Sequence, residues 1–411
     1  MLKLTAPQQP HSHQDKPMIG LAVAGGGPLG AIYELGALRA LDEAIDGLSL
    51  HQLDAYVGVS SGSILTAALA NKMTTAKMSR IFMSSKDAEF KFQPEQFLKP
   101  ALGEYLTRAK ALPAVVYDLL AESIRHPDRI LHLESLEGIS RLIPTGIFDN
   151  QSIDRLLAEV LSSQNRTNDF RSLETSLRVV AVDLETGQAV RFGEPGFDDV
   201  PISKAVQASA ALPGLYPPVE IKGRHYVDGA LRRTLHASVA LRQGVDLLFA
   251  INPLVPYDPA SGPAVEPQAT GSRLIKGGLP LVLSQTFRSL IQSRMQIGMT
   301  KYSTQFPNAG LVLIEPNRND EQMFFTNVFS YASRKELIEH AYQTTRSELL
   351  KEAPALDALL SHYGLSLNRD ALTTKQTFTE SLANEPVFRT AVGSSLAQSL
   401  ADLEMLLSEA R

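Results

Sequence analysis

The stretch Leu53-Asp-Ala-Tyr-Val-Gly58-Val59-Ser60-Ser61-Gly62-Ser63-Ile-Leu-Thr-Ala-Ala-Leu-Ala-Asn71-Lys72 decides how this chain folds. Its first part, Leu53 to Val57, is a short apolar run of strand type, and its last part, Ser63 to Lys72, is a run of small and apolar residues of helical type. Between them lies a G-x-S-x-G pentapeptide, Gly58 to Gly62, in the strand–turn–helix context that the motif needs. A turn this tight pushes a serine into disfavoured backbone geometry, so glycines stand where a Cβ would clash. Ser60, rather than Ser61 or Ser63, takes the elbow position. Its Oγ would sit at a helix N-terminus, where backbone N–H groups favour negative charge. A strand-to-helix turn with a capping serine fits the same letters.

The same unit occurs upstream. Ile19 to Ala24 is a β-type run, Gly25-Gly26-Gly27-Pro28-Leu29-Gly30 a glycine turn, and Ala31 to Ile45 a helix with Ile32, Leu35, Leu38 and Leu41 at helical spacing. Two such units in succession predict parallel strands joined by crossover helices. The glycine turn has two chemical readings. As G-x-G-x-x-G (Gly25, Gly27, Gly30) it would cradle a dinucleotide pyrophosphate, which calls for an acidic residue closing the next strand. Asp54 instead opens that strand, and its end carries Gly58-Val-Ser60. The other reading is an oxyanion hole, consecutive glycines baring N–H groups toward an attacked acyl carbonyl. Adjacent parallel strands would bring that loop and Ser60 to one C-terminal sheet edge, where open α/β folds bind ligands.

Further strands are predicted at Leu177 to Asp183, Ala189 to Phe192, Val219 to Ile221, His225 to Val227, Val245 to Ile251 and Leu311 to Ile314. Residues 73–145 read as a helical insertion closed by Pro144, Leu274 to Tyr302 as a helix after the Pro256 to Gly271 loop, and Ser333 onward as amphipathic helices. The organisation expected is a disordered leader at 1–17, a catalytic domain at 18–330 containing the 73–145 insertion, and a helical extension at 331–411.

Composition narrows the function. The 411 residues carry 39 Lys+Arg against 44 Asp+Glu, a net −5 without the basic excess that nucleic acid requires. With 44% hydrophobic and 20% charged residues the chain can bury a large core. Zero cysteines exclude disulfides, thiol catalysis and thiolate metal sites. Residues 1–17 lack the basic start and apolar run of a signal peptide, and no uncharged window reaches the ~20 apolar residues of a membrane span. A cytoplasmic protein, in peripheral contact with membrane at most, is the expectation.

A serine nucleophile needs a base. His225, His236, His340 and His362 lie downstream in the order of a Ser-Asp-His triad, none in a glycine-flanked loop that would aim it. Tyr226-Val227-Asp228-Gly229-Ala230 places a carboxylate between a short strand and a glycine turn, a pattern that an ordinary Asp-Gly turn also satisfies.

Taken together, Gly25-Gly-Gly-Pro-Leu-Gly30, Gly58-Val-Ser-Ser-Gly62 and Asp228-Gly229-Ala230, in this order and spacing, resemble the patatin-like phospholipase family in its bacterial type. Val182-Asp-Leu-Glu-Thr-Gly187 and Ala208-Ser-Ala-Ala-Leu-Pro-Gly-Leu-Tyr-Pro-Pro218 are similar to the family's blocks leading into the Asp-Gly strand, and the resemblance covers about residues 18–330. It implies a three-layer α/β/α fold with a mainly parallel central sheet, and a lipid acyl hydrolase of phospholipase A, lysophospholipase or esterase type. In that reading Ser60 is the nucleophile and Asp228 its base, with no histidine. Gly25, Gly26 and Gly27 give oxyanion N–H groups, and Gly30, Gly58, Gly62 and Gly229 support the turns. The family commonly has Arg or Lys where Leu29 stands, so a cation near a phosphate headgroup is missing while the backbone donors remain.

The partner implied is a lipid or phospholipid substrate, and neither a metal nor a diffusible cofactor is called for. An acyl chain needs an apolar channel, for which the 73–145 insertion and Leu279-Pro-Leu-Val-Leu283, Phe287, Leu290 and Ile291 are candidates. The C-terminal face of Leu400, Leu403, Leu406 and Leu407 carries Asp402, Glu404 and Glu409, unlike a membrane-surface helix. The competing readings are a catalytically silent or partner-activated lipid-binding protein of the same fold, and a nucleotide-binding oxidoreductase.

Overall fold

The computed structural model describes residues 1–8, 16–83, 99–106, 108–110, 112–113, 117, 143–163, 165–261, 274–326 and 331–384. Four apolar runs without polar alternation form its centre: β2 (Ile19–Val23), β4 (Ala55–Val59), β9 (Leu247–Ile251) and β10 (Gly310–Ile314). Strands of this composition are buried on both faces, which is how parallel strands are used. The sheet order is β1-β10-β9-β2-β4-β5-β8-β7, where β1 is Leu2–Thr5, β5 is Ser176–Asp183, β7 is Val219–Ile221 and β8 is Arg224–Asp228. From β10 through to β5 every pairing is parallel, while β1, β8, β7 and β6 (Ala189–Phe192) join antiparallel at the margins.

Alternate residues of the central strands feed two separate cores. Leu21, Val23, Tyr56, Phe249 and Ile251 enter one, and Ala22, Ala24, Val57, Val59, Leu248 and Ala250 enter the other. The helices on the first face are α1 (Gly27–Ala44), α2 (Ser61–Ala70), α3 (Thr75–Met83), α4 (Gln151–Leu161) and α5 (Ile202–Ser209). The second face is covered by α6 (Ala237–Leu241) and by Met295, Met299 and Tyr302 of α7 (Gly278–Gln305). This is the three-layer α/β/α arrangement that the family resemblance implies, with the parallel strands that the two glycine-turn units predict at its centre.

The structure departs from the sequence reading at both ends. Within the expected leader 1–17, Leu2–Thr5 is an edge strand in register with β10 from Leu2↔Ile314 to Thr5↔Leu311, and Lys3 Nζ meets Glu315 at 2.6 Å. Four residues are too few to display a period, and this strand exists through pairing with a partner three hundred residues away. Residues 9–15 of that leader lie outside the described residues. At the other end, Leu337, Ile338 and Ala341 of α9 (Tyr331–Lys351), which follows α8 (Glu321–Phe325), belong to the first core. Helix α9 closes over α1 where Gly36 lets the chains approach: a Cβ there would stand 2.8 Å from the Ile338 carbonyl oxygen. Residues 331–384 thus share the core of the preceding segment, and α1 is buried around its whole circumference from Gly30 to Leu41. Of the expected 73–145 insertion, α3 is described, whereas 84–98 and 118–142 are outside the described residues, as is the Leu400–Leu407 face.

Candidate active site

Sheet register brings the three sequence motifs to one place. Val23 of β2 is level with Gly58 of β4, Val59 with Val180 of β5, and Ala181 with Asp228 of β8. Gly58 and Val59 prove to be strand, so the turn itself is compressed onto Ser60, which adopts φ 50°, ψ −125° before α2 begins at Ser61. This is strained backbone for a residue with a Cβ, of order 1–3 kcal/mol, and it persists only where surroundings over-determine it. They do so here: the Ser60 N–H donates to Ser209 Oγ at 2.8 Å, the Ser209 hydroxyl donates to the Val180 carbonyl at 2.6 Å, and the Ser63 N–H donates to the Ser60 carbonyl at 3.0 Å. Close approach accounts for the flanking glycines. A Cβ on Gly58 would fall 2.1 Å from Thr66 Oγ1, on Gly62 2.3 Å from the Ala24 carbonyl oxygen, and on Gly229 2.3 Å from that of Val180.

Asp228 ends β8 and opens a short turn, Gly229–Leu231. Its backbone N–H donates to the Ala211 carbonyl at 3.0 Å, and its Oδ1 accepts the Ala230 N–H at 2.8 Å. Burial, with Ser60 and Asp228 only 6% and 3% exposed, pushes the Asp228 carboxyl up to about 6, against the opposing pull of the Ala230 N–H and the Ser60 hydroxyl. A carboxylate with that value is mostly ionised at neutral pH and a stronger base than an ordinary aspartate.

The glycine loop packs directly on Ser60. A Cβ on Gly25 would stand 2.7 Å from Ser60 Cβ and 3.4 Å from its Oγ. Gly26 caps α1 and Gly27, at φ 60°, is its first residue, followed by Pro28. The first intrahelical bond runs from the Gly30 N–H to the Gly26 carbonyl, which leaves the amides ahead of it without a partner inside the helix. Those amides and the helix dipole make the N-terminal end of α1 electropositive. Leu29 is half-buried against the first core, so its side chain serves packing.

Two supports of this loop have no local sequence signal. The Pro253 ring presses on it, 2.6 Å from a Cβ built on Gly26 and 3.0 Å from one on Gly30. Arg288 of α7, buried and drawn down to about 10 by that burial, donates to the Pro253 and Val255 carbonyls at 3.3 and 3.2 Å and stacks on Phe324. A second serine–acid pair adjoins the first: Ser61 Oγ donates to Glu34 Oε2 at 3.4 Å, and Glu34 is fully buried with Oε1 unpartnered. Burial holds the Glu34 carboxyl well above its ordinary value. A glutamate amid the apolar positions of the Ala31 to Ile45 helix is the signal that would have found it.

The histidines go elsewhere. His225 Nδ1 lies 2.9 Å from Glu185, and His340 Nε2 lies 2.6 Å from Asp320. His362 ends the helix α10 (Ala353–Ser361). His236 is buried with Nε2 3.4 Å from the Gly229 carbonyl oxygen, and burial takes it down to about 4, a neutral ring at physiological pH. Among the described residues no hydrogen bond joins any of these four to Ser60 or Asp228.

An apolar cleft opens one turn along α2 from Ser60, lined by Ile64 and Ala68 of α2, Met78 and Phe82 of α3, and Ile153 and Leu157 of α4. Part of the predicted insertion thus supplies its wall. Phe287 and Leu290 of α7, candidates for the same lining, instead point to solvent. Among the described residues no helix is long and apolar enough to cross a membrane.

Fold and site together define an α/β/α protein with a strained serine elbow beside a buried aspartate. A family model for patatin-like phospholipase matches residues 21–241, and the chain belongs to that family, whose activity at the level of the family is lipid ester hydrolysis. Among solved structures, VipD from Legionella pneumophila is similar at 15% identity and a TM-score of 0.37, over 82% of this chain and 67% of that one. Full-length ExoU, in complex with SpcU of the Pseudomonas aeruginosa type III secretion system, is similar at 16% identity and a TM-score of 0.28, over 90% and 67%. The chain spans about two thirds of the length of each.

Proposed function

We propose that this protein is a serine acyl hydrolase that cleaves carboxylic esters of lipids through a Ser60–Asp228 dyad. The observation that carries the reading is the strained, buried Ser60, against which the Gly25 backbone packs, with the buried Asp228 carboxyl feeling the Ser60 hydroxyl. Asp228 takes the Ser60 proton as Oγ attacks the acyl carbonyl, and the amides of Gly25, Gly26 and Gly27 hold the oxyanion. Collapse breaks the ester C–O bond, and the proton on Asp228 passes to the departing alcohol. Water then attacks the acyl-enzyme with Asp228 as base, which releases the fatty acid and restores Ser60. The cleft along α2, α3 and α4 receives the acyl chain.

The test is labelling of the purified protein with a fluorophosphonate, the adduct being mapped by mass spectrometry. Stoichiometric modification of Ser60, absent in Ser60→Ala, is expected. Folded protein that takes no label would replace this reading with that of a silent lipid binder.

A further inference from the structure

Helix α7 buries polar side chains in its first four turns and exposes apolar ones along most of its length. Ahead of Met295, three polar residues turn inward: Gln285 bonds the Tyr257 N–H and carbonyl, Arg288 bonds the Pro253 and Val255 carbonyls, and Gln292 is buried with both amide atoms unpartnered. The residues it turns outward are Leu283, Phe287, Leu290 and Ile297, which fall on one stripe at spacings of four, three and seven, with Leu290 57% and Ile297 59% exposed. A surface helix of a globular protein has the opposite polarity. This pattern is that of a helix whose outer side meets an apolar medium.

Charge points the same way. Between Glu266 and Glu315 there is no acidic residue, while Arg273, Lys276, Arg288, Arg294 and Lys301 fall in that interval of a protein whose net charge is −5. Arg294 and Lys301 lie on the exposed side of α7, on the same face as the apolar stripe. Apolar side chains flanked by cations and free of acids suit a bilayer surface with anionic headgroups, where hydrocarbon takes the first and phosphate the second.

The helix is also tied to both halves of the candidate site. Arg288 holds the segment whose Pro253 presses on Gly26 and Gly30, and Arg294 donates to the Leu231 carbonyl at 3.0 Å, in the turn that Asp228 opens. We infer that the outer face of α7 is the surface by which this protein docks on anionic membrane, with Leu283, Phe287, Leu290 and Ile297 entering the acyl boundary and Arg294 and Lys301 meeting lipid phosphates. The inference deepens the hydrolase reading, by naming the lipid surface from which its substrate is drawn, and rests on that reading for its purpose.

The experiment uses the full chain carrying Ser60→Ala, so that binding is read without turnover. Co-sedimentation with vesicles of phosphatidylcholine alone is compared with vesicles of equimolar phosphatidylcholine and phosphatidylglycerol. Binding is expected to the anionic vesicles, to weaken with salt, and to fall at least about tenfold in Leu290→Gln/Ile297→Gln, whose substitutions sit on solvent-facing positions and leave the melting temperature in place. Equal binding by the double variant, or none by its parent, overturns the inference. So does a second copy on this face, seen as a dimer by light scattering that the double variant dissociates. The hydrolase reading fails separately, through absence of the fluorophosphonate adduct on wild-type Ser60, and vesicle binding does not depend on that result.

Discussion

Ser60 and Ser61 are consecutive, both buried, and each faces a buried carboxyl group, Asp228 for the first and Glu34 for the second. Their surroundings differ in three ways. Ser60 is at φ 50°, with its Oγ thrown clear of the helix, while Ser61 is the first helical residue of α2 and has ordinary geometry. Asp228 keeps a 2.8 Å hydrogen bond from Ala230 and rises only to about 6, while Glu34 has one long bond and an unpartnered oxygen and is pushed well above the usual carboxylate range. Gly25 and its amides border Ser60. A carboxyl with a value of about 6 is mostly ionised at neutral pH and free to accept a proton, and the stronger push of burial on Glu34 disfavours its ionised form. Backbone strain and one N–H donor separate Ser60, the proposed nucleophile, from Ser61.

The comparison breaks first if the wrong serine is removed. Ser60→Ala is expected to abolish fluorophosphonate labelling and ester turnover, whereas Ser61→Ala keeps both within about threefold and melts within about 1 kcal/mol of the parent. Turnover by Ser60→Ala at the parent rate would reassign the nucleophile.

Asp228→Asn is expected to cut kcat on a monomeric ester by about 10³-fold or more, the loss of a general base. Its stability should move the other way. The Asp228 carboxyl titrates near 3.8 when unfolded and about 6 when folded, so between those values the folded state holds the proton more tightly and stability falls as pH rises. Above that window the deficit is complete, on the order of 3 kcal/mol. Asparagine carries no such cost, so Asp228→Asn should melt higher than the parent at about pH 8 and gain little at about pH 4. In the parent, labelling should rise with pH through about 6. A variant that melts lower at both pH values would show that Asp228 is structural.

Gly25→Ala sharpens the comparison at the other border of Ser60. Its new Cβ would be 2.7 Å from Ser60 Cβ, closer than side chains tolerate, so the nucleophile or the loop must shift. A fall in kcat of about 10²-fold, with far-UV circular dichroism unchanged, is the expected result. Unchanged kinetics would mean that the loop and the elbow move apart freely.

Much of this was legible in the letters. The β2 and β4 runs and the glycine turns are local patterns that specify the parallel centre of the sheet and two of the segments that meet at its edge, while the third, the Asp228 turn, joins them only through the family resemblance. What was not legible is what acts across long separations. The edge strand Leu2–Thr5 forms only on β10, Ser209 matters because it lies between Ser60 and Val180, and Arg288 reaches the glycine loop through Pro253. Phe287 and Leu290 misled because an apolar stripe on a helix usually marks the buried face, and on α7 it marks the exposed one.

The smallest effect should come from Glu34. Burial pushes this carboxyl well above its ordinary range, toward the neutral form, and Glu34→Gln replaces it with a neutral side chain of nearly the same shape. The amide still offers an oxygen to the Ser61 hydroxyl, and its nitrogen inherits the place of the unpartnered Oε1. Melting temperature should change by no more than about 1 kcal/mol would produce, and kcat/KM on a monomeric ester should stay within about threefold, with the same rise through pH 6 as the parent. Glu34→Ala, by contrast, opens a cavity beneath Ser61 and should destabilise by about 2–3 kcal/mol without moving the pH profile. If Glu34→Gln instead lost activity to the level of Asp228→Asn, or displaced the pH profile, the buried glutamate would be coupled to the reacting serine and the two pairs would form one proton-sharing unit.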